Sequence, residues 1–132
     1  MNKKNVLVVD DEAINHFLCQ KIMDSLHWIN TTYSAFNGIE ALAILEDHCR
    51  GIKLFPDLIL LDLHMPLMNG VEFLREYWKL ECLNGKQHEA IIVIVSSSQD
   101  PDERSQIESL GINDFIPKPI SLERVNLLVN KF

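Results

Sequence analysis

Four stretches of this 132-residue chain carry side chains able to do chemistry together. Asp10-Asp11 follows Val6-Leu7-Val8-Val9, and Asp62 follows Leu58-Ile59-Leu60-Leu61. Ser96-Ser97-Ser98 follows the run from Ala90 to Val95, and Lys118 follows Asp114-Phe115-Ile116-Pro117. Short apolar runs of this kind suit strands buried on both faces of a parallel sheet. In such sheets ligands gather at the carboxyl ends of the strands. Three carboxylates, a hydroxyl and an ammonium therefore converge on one rim. Carboxylates about 4 Å apart, at an effective dielectric near 20, repel by roughly 4 kcal/mol per pair, so the fold needs a cation there. An all-oxygen, sparse donor set suits Mg²⁺ with several retained waters. It does not suit zinc, which prefers imidazole and thiolate. Mg²⁺ and Lys118 make a pocket for a phosphoryl group, to which Ser96 can donate a hydrogen bond. A carboxylate in that pocket can also be the nucleophile, giving an aspartyl phosphate.

The segments between these stretches must place them. Ile14, Phe17, Leu18, Ile22 and Leu26 recur at helical spacing. Thr31 to Ala35 reads as a second strand, Asn37-Gly38 as a turn, and Ile39, Leu42, Ala43 and Leu45 as a second helix. Asn69-Gly70 opens a third helix with Val71, Leu74, Tyr77, Trp78 and Glu81 in its rows, and Asn84-Gly85 stops it. Tyr77 and Trp78 are adjacent, so both cannot face the core. Pro101 starts a fourth helix, with Ile107 and Leu110 inward and Gly111 at its end. Leu122, Val125, Leu128 and Val129 mark a fifth. Five β-then-α units predict an α/β fold: one doubly wound, five-stranded parallel sheet with five helices on its two faces. No repeat or linker interrupts the chain, so residues 1–132 read as one domain.

Composition excludes several function classes. An apolar fraction of 47% and a charged fraction of 23% are those of a globular protein, not of a disordered chain. The net charge of −7 argues against a grip on nucleic acid. No apolar run is long enough to span a bilayer, and the basic start reaches Asp10 too soon for a signal peptide, which points to the cytoplasm. Cys19, Cys49 and Cys82 are isolated and odd in number, which predicts a reducing compartment and no zinc or disulfide framework.

The set Asp10-Asp11, Asp62, Ser96 and Lys118-Pro119 resembles the receiver domain of two-component response regulators. Leu60-Leu61-Asp62-Leu63-His64-Met65-Pro66-Leu67-Met68-Asn69-Gly70 looks like the phosphoacceptor segment of that family, and Val8-Val9-Asp10-Asp11-Glu12 looks like its acidic pair. Phe115 stands three residues before Lys118, where the family has an aromatic switch residue. The resemblance runs through the whole chain in order. It implies a flavodoxin-like receiver in which Asp62 accepts a phosphoryl group from a histidine kinase or phosphotransfer protein. Mg²⁺ would be bound by Asp11, Asp62 and the backbone carbonyl of His64, with Asp10 acting largely through water. Lys118 would pair with the phosphoryl oxygens, Ser96 would turn toward them, and Phe115 would move inward and reshape a partner-binding face. The Lys118-Pro119 bond would be cis. The chain would be a stand-alone signalling module, monomeric or weakly dimeric, with an unidentified downstream protein partner and no nucleic-acid or membrane partner. It would assist only its own phosphorylation and dephosphorylation.

Other readings stand beside these. Asp10-Asp11 alone would suit a cap on the first helix. His64 and Ser98, at the rim, would tune attack of water on the phosphoryl group. Asn15 reads as a structural hydrogen-bonding residue, and His16, His27, His48 and His88 as surface or packing residues. Ser96 stands where Thr is also frequent, and Phe115 lacks the hydroxyl many members carry. The opening Asp10 to His16 also looks like receivers joined to hybrid kinases, so a piece of such a kinase or of a phosphorelay is an alternative. A small Mg²⁺-dependent aspartyl phosphatase is a rival from another class, but it usually has a second acid where His64 stands. A flavin-binding protein of similar topology would place its phosphate where Asp10-Asp11-Glu12 would repel it.

Overall fold

Along the chain, strands and helices alternate from β1 (Lys4–Val9), α1 (Ala13–Asp24), β2 (Ile29–Ala35) and α2 (Gly38–Cys49) to β3 (Leu58–Leu61) and α3 (Gly70–Tyr77). They continue through β4 (Ile91–Ser96), α4 (Pro101–Ser109), β5 (Phe115–Pro117) and α5 (Leu122–Leu127), which runs into a 3₁₀ turn over Leu128–Lys131. This computed structural model describes residues 3–51, 55–80 and 90–132. All strand pairings are parallel, in the order β2-β1-β3-β4-β5. The expected five-stranded, doubly wound α/β fold is what the chain forms.

Alternation along each strand builds two cores. Leu7, Val9, Ile59, Leu61, Ile92 and Ile94 face one side, where Ala41 and Leu45 of α2, Phe73, Leu74 and Tyr77 of α3 and Ile107 of α4 cover them. Val6, Val8, Leu58, Leu60, Val93 and Val95 face the other, under Cys19 and Met23 of α1 and Val125 of α5. Helices α2, α3 and α4 start where the sequence supplies caps. The Asn37 side chain accepts the Glu40 N–H, Asn69 and Glu72 form a reciprocal capping box, and the Asp100 side chain accepts the Asp102 N–H beside Pro101. Gly111, at φ +90°, closes α4 in a conformation that favours glycine.

Several expectations change here. On α1 the fully buried residues are Cys19 and Met23, with Ile22 packed against the same core, while Ile14 (57%), Phe17 (57%) and Leu18 (40%) are exposed. The apolar row of the sequence is therefore only partly buried: Leu26 joins the core and Ile22 packs against it, but the first half of the row faces outward. α3 ends at Tyr77, with Tyr77 buried and the neighbouring Trp78 partly exposed. The stop expected at Asn84-Gly85 lies outside the described residues, as do Cys82 and His88. Cys49 is disulfide-bonded, against the expectation of no disulfide; isolation along the sequence says nothing about where α2 carries that sulfur in space. Cys19 is a free, buried thiol, pushed up to about 11 by burial and then by the nearby Asp10 carboxylate. His48 packs edge-on against Tyr33, as a packing residue should. None of the described helices is long and apolar enough to cross a membrane.

Candidate functional site

The sheet places the acids before any side chain chooses a direction. Val9 of β1 is in register with Leu61 of β3, so the next residues, Asp10 and Asp62, emerge side by side. Their backbones extend the ladder: Asp62 N–H donates to the Val9 carbonyl (2.9 Å), and Asp10 N–H to the Ala35 carbonyl (3.1 Å). β1 has β2 on one side and β3 on the other, so this pair sits at the point where the strand order reverses. Both carboxylates are buried, and Asp11 beside them is exposed. Each of the three offers an oxygen, all within 4.8 Å of one another.

Lys118 reaches the same place from beyond β5. Its Nζ lies 3.3 Å from Asp10 Oδ2 and 3.2 Å from Asp62 Oδ1. The Lys118-Pro119 bond is cis, as expected. Burial pushes the Asp62 carboxyl above its ordinary value; Lys118 pulls it back, Asp10 pushes it further up, and the His64 backbone N–H favours the anion. Burial alone would lower the Lys118 ammonium, but the Asp62 and Asp10 carboxylates outweigh that and hold it above the ordinary lysine value. One half-buried cation balancing two buried carboxylates, with a third beside them, leaves net negative charge at the rim. An oxygen-only donor set of that charge fits a hard divalent cation such as Mg²⁺.

The two buried acids differ in their other partners. Asp10 Oδ1 accepts the Glu12 N–H (2.9 Å), and Oδ2 accepts the Asn15 side-chain amide (3.1 Å). The Asp10 carbonyl meets His16 Nε2 at 2.7 Å, so this histidine, read as a packing residue, also touches the site. The acidic pair does not cap α1: its N-cap is Glu12, whose side chain makes no capping bond. Asp62 is followed by a loop tight enough that a Cβ on Gly70 would lie 2.9 Å from the Asp62 carbonyl oxygen. Within it Leu67 takes φ +69°, and Met68 N–H donates to the Pro66 carbonyl (2.7 Å), forming a γ-turn.

Ser96 ends β4, half-buried, in register with Pro117, and its carbonyl accepts the Lys118 N–H (3.1 Å). Ser97 and Ser98 are exposed. Ser96 Oγ accepts the Ser98 N–H (3.0 Å), and Ser98 Oγ accepts the Asp100 N–H (3.2 Å), a chain of turns leading into α4. Ser96, Leu63 and Phe115 border one cavity of about 370 Å³. Two neighbours on the first turn of α4, which no sequence signal singles out, close this side. Glu103 meets exposed His64 (Nε2 to Oε2, 3.1 Å), and the Arg104 guanidinium lies over the Phe115 ring, 4.1 Å from its centroid.

The family model described as the response regulator receiver domain matches residues 6–130. A protein-glutamate methylesterase/protein-glutamine glutaminase of Treponema denticola is 38% identical over 129 residues, covering 96% of this chain and 32% of that protein. A response regulator receiver protein of Pseudomonas putida has a TM-score of 0.80 at 28% identity, covering 100% of this chain and 99% of that one. A phosphorylated cyanobacterial phytochrome response regulator has a TM-score of 0.76 at 26% identity, covering 98% of this chain and 90% of its own. The chain spans about a third of the length of the first curated relatives it matches.

Proposed function

The chain belongs to the response regulator receiver family, and on that premise we propose that Asp62 is its phosphoacceptor and that phosphorylation switches its binding to a partner protein. The observation that carries this reading is the shared Lys118: one ammonium within 3.3 Å of two buried carboxylates that emerge side by side from β1 and β3. The incoming group comes from a phosphohistidine of a histidine kinase or phosphotransfer protein, or from a small acyl phosphate. The P–N or P–O bond of the donor breaks, its electron pair leaves with the imidazole or acyl oxygen, and a P–O bond forms to an Asp62 carboxylate oxygen. The imidazole then takes a proton from water, whereas the acyl oxygen leaves as a carboxylate.

Lys118 is already in place to neutralise a phosphoryl oxygen, and it favours the anionic, nucleophilic form of Asp62 that burial disfavours. Ser96 donates to a second phosphoryl oxygen after leaving its Ser98 contact. Mg²⁺ would be held by Asp11, Asp62 and the His64 carbonyl, with Asp10 acting through water, and when bound it supplies positive charge to the phosphoryl oxygens. His64 and Ser98 tune the rate at which water removes the phosphoryl group. Phe115 moves inward toward the cavity it borders with Ser96 and Leu63, leaving Arg104, and so changes the α4-β5-α5 face that a downstream protein reads. The chain modifies only itself and turns over no substrate. It acts in the cytoplasm as a monomer or weak dimer.

The test is intact-protein mass after incubation with acetyl phosphate and Mg²⁺, with Asp62→Asn alongside. One added phosphoryl group that needs the metal and is lost in the variant supports the reading. Equal labelling of the variant overturns Asp62 as the acceptor.

A further inference from the structure

Lys118 has two duties that conflict once Asp62 carries a phosphoryl group. In the unmodified protein its ammonium bridges Asp10 Oδ2 and Asp62 Oδ1 at 3.3 and 3.2 Å. A phosphoryl group on Asp62 draws that ammonium toward its own oxygens. Asp10 is buried, so apart from the metal-linked water it has only the donors that the fold supplies. A buried carboxylate that loses a charged donor is costly unless another donor is already there.

That donor is Asn15. It lies in the first turn of α1, half-buried, and its Nδ2 donates to Asp10 Oδ2 at 3.1 Å. This is the same oxygen that Lys118 takes, whereas the Glu12 N–H serves the other oxygen, Oδ1. The arrangement is therefore specific to one atom. We propose that Asn15 is a positioning residue for phosphoryl transfer: it holds Asp10 Oδ2 so that Lys118 can leave Asp10 for the phosphoryl group. The inference rests on Asp62 being the acceptor. A merely structural amide would support the unmodified and the modified protein alike. Asn15, placed on the oxygen that Lys118 vacates, matters more in the modified one.

The experiment compares wild type, Asn15→Ala and Asn15→Gln by calorimetry, first with Mg²⁺ alone and then with beryllofluoride in saturating Mg²⁺. Beryllofluoride is a probe that mimics the phosphoryl group on the aspartate. Asn15→Ala is expected to weaken beryllofluoride binding about tenfold, the low end of what losing such a supporting partner costs. Its Mg²⁺ affinity should stay within about twofold of wild type, because Lys118 still serves Asp10 when no phosphoryl group is present. Asn15→Gln, which keeps the amide donor, should recover most of the loss. Unchanged beryllofluoride affinity in Asn15→Ala overturns the inference. So does an equal loss of Mg²⁺ and beryllofluoride binding, or a loss that Asn15→Gln fails to relieve in a variant with wild-type thermal stability. Failure of the wild type to bind beryllofluoride overturns the reading of Asp62 instead.

Discussion

Asp10 and Asp62 leave adjacent strands in register, are both buried and share one lysine, yet their surroundings differ. On the β1 side, Asp10 has its oxygens engaged by the Glu12 N–H, the Asn15 amide and Lys118, and its carbonyl meets His16. On the β3 side, Asp62 has Lys118 and the His64 N–H, sits beside a strained turn at Leu67, and has its carboxyl pushed above the ordinary value by burial. A carboxylate with all its oxygens bonded is a fixed charge. Asp62, with fewer donors and a site that disfavours its charge, is less tightly held, which suits the nucleophile proposed for it. The contrast shows how a fold gives chemically identical side chains different surroundings through the donors around each one.

The sharpest way to break the comparison is to neutralise each acid in turn. Asp62→Asn is expected to abolish labelling by acetyl phosphate, whereas Asp10→Asn should slow it about 10- to 100-fold and leave the final stoichiometry reachable, as read by intact mass over time. Equal and complete loss in both would erase the distinction. Next in size is the shared cation. Lys118→Met leaves two buried carboxylates facing each other and should cost about 3 kcal/mol of stability in metal-free denaturant titrations. Mg²⁺ should restore much of that loss, and absence of any recovery would argue against a cation site among Asp10, Asp11 and Asp62.

The loop after Asp62 comes next. Gly70→Ala puts a methyl 2.9 Å from the Asp62 carbonyl oxygen and the Leu63 Cα, neither of which can yield cheaply, and should cost about 1–3 kcal/mol in equilibrium unfolding. A smaller effect comes from titration. The folded-state carboxyl of Asp62 lies above its ordinary value of 3.8, so the native protein prefers it neutral, and its charge costs stability once pH exceeds that raised value. Asp62→Asn should therefore raise the metal-free thermal midpoint at neutral pH. The gain should shrink as pH falls through the raised value and disappear below 3.8, where the carboxyl is protonated in the folded and unfolded chains alike. A midpoint difference independent of pH would refute that cause. Smallest is Leu67→Gly, which relieves the φ +69° backbone at the centre of the γ-turn and should stabilise the fold by about 1 kcal/mol or less, glycine's own entropy offsetting part of the gain.

The strands and the site's charged groups were legible because each apolar run ended in its functional residue. Val9, Leu61 and Pro117 hand on directly to Asp10, Asp62 and Lys118, and Ser96 closes the run of β4, so pattern and chemistry coincided. Helix faces were less legible. The row of Ile14, Phe17 and Leu18 obeys helical spacing as well as any in the chain, but it faces outward, and the core takes Cys19 and Met23 with Ile22 packed against it. Periodicity reports that a face is apolar, not which face is covered. Glu103 and Arg104 were invisible for another reason. Their partners, His64 and Phe115, lie on other elements, and only the docking of α4 brings them together. Asn15 was recognised as a hydrogen-bonding residue, but its acceptor atom is a fact of geometry alone.

β5 is three residues long, lies at the edge of the sheet, and has a single neighbouring strand. Lys118, the residue that follows it, is tied further in: its ammonium lies 3.2 Å from Asp62 Oδ1, and Asp62 follows β3, two places inward in the strand order. The salt bridge is thus a tether between an inner part of the sheet and one of its edges. On the proposed reading, charge added at Asp62 would pull on that edge, where Phe115 begins the same three-residue strand.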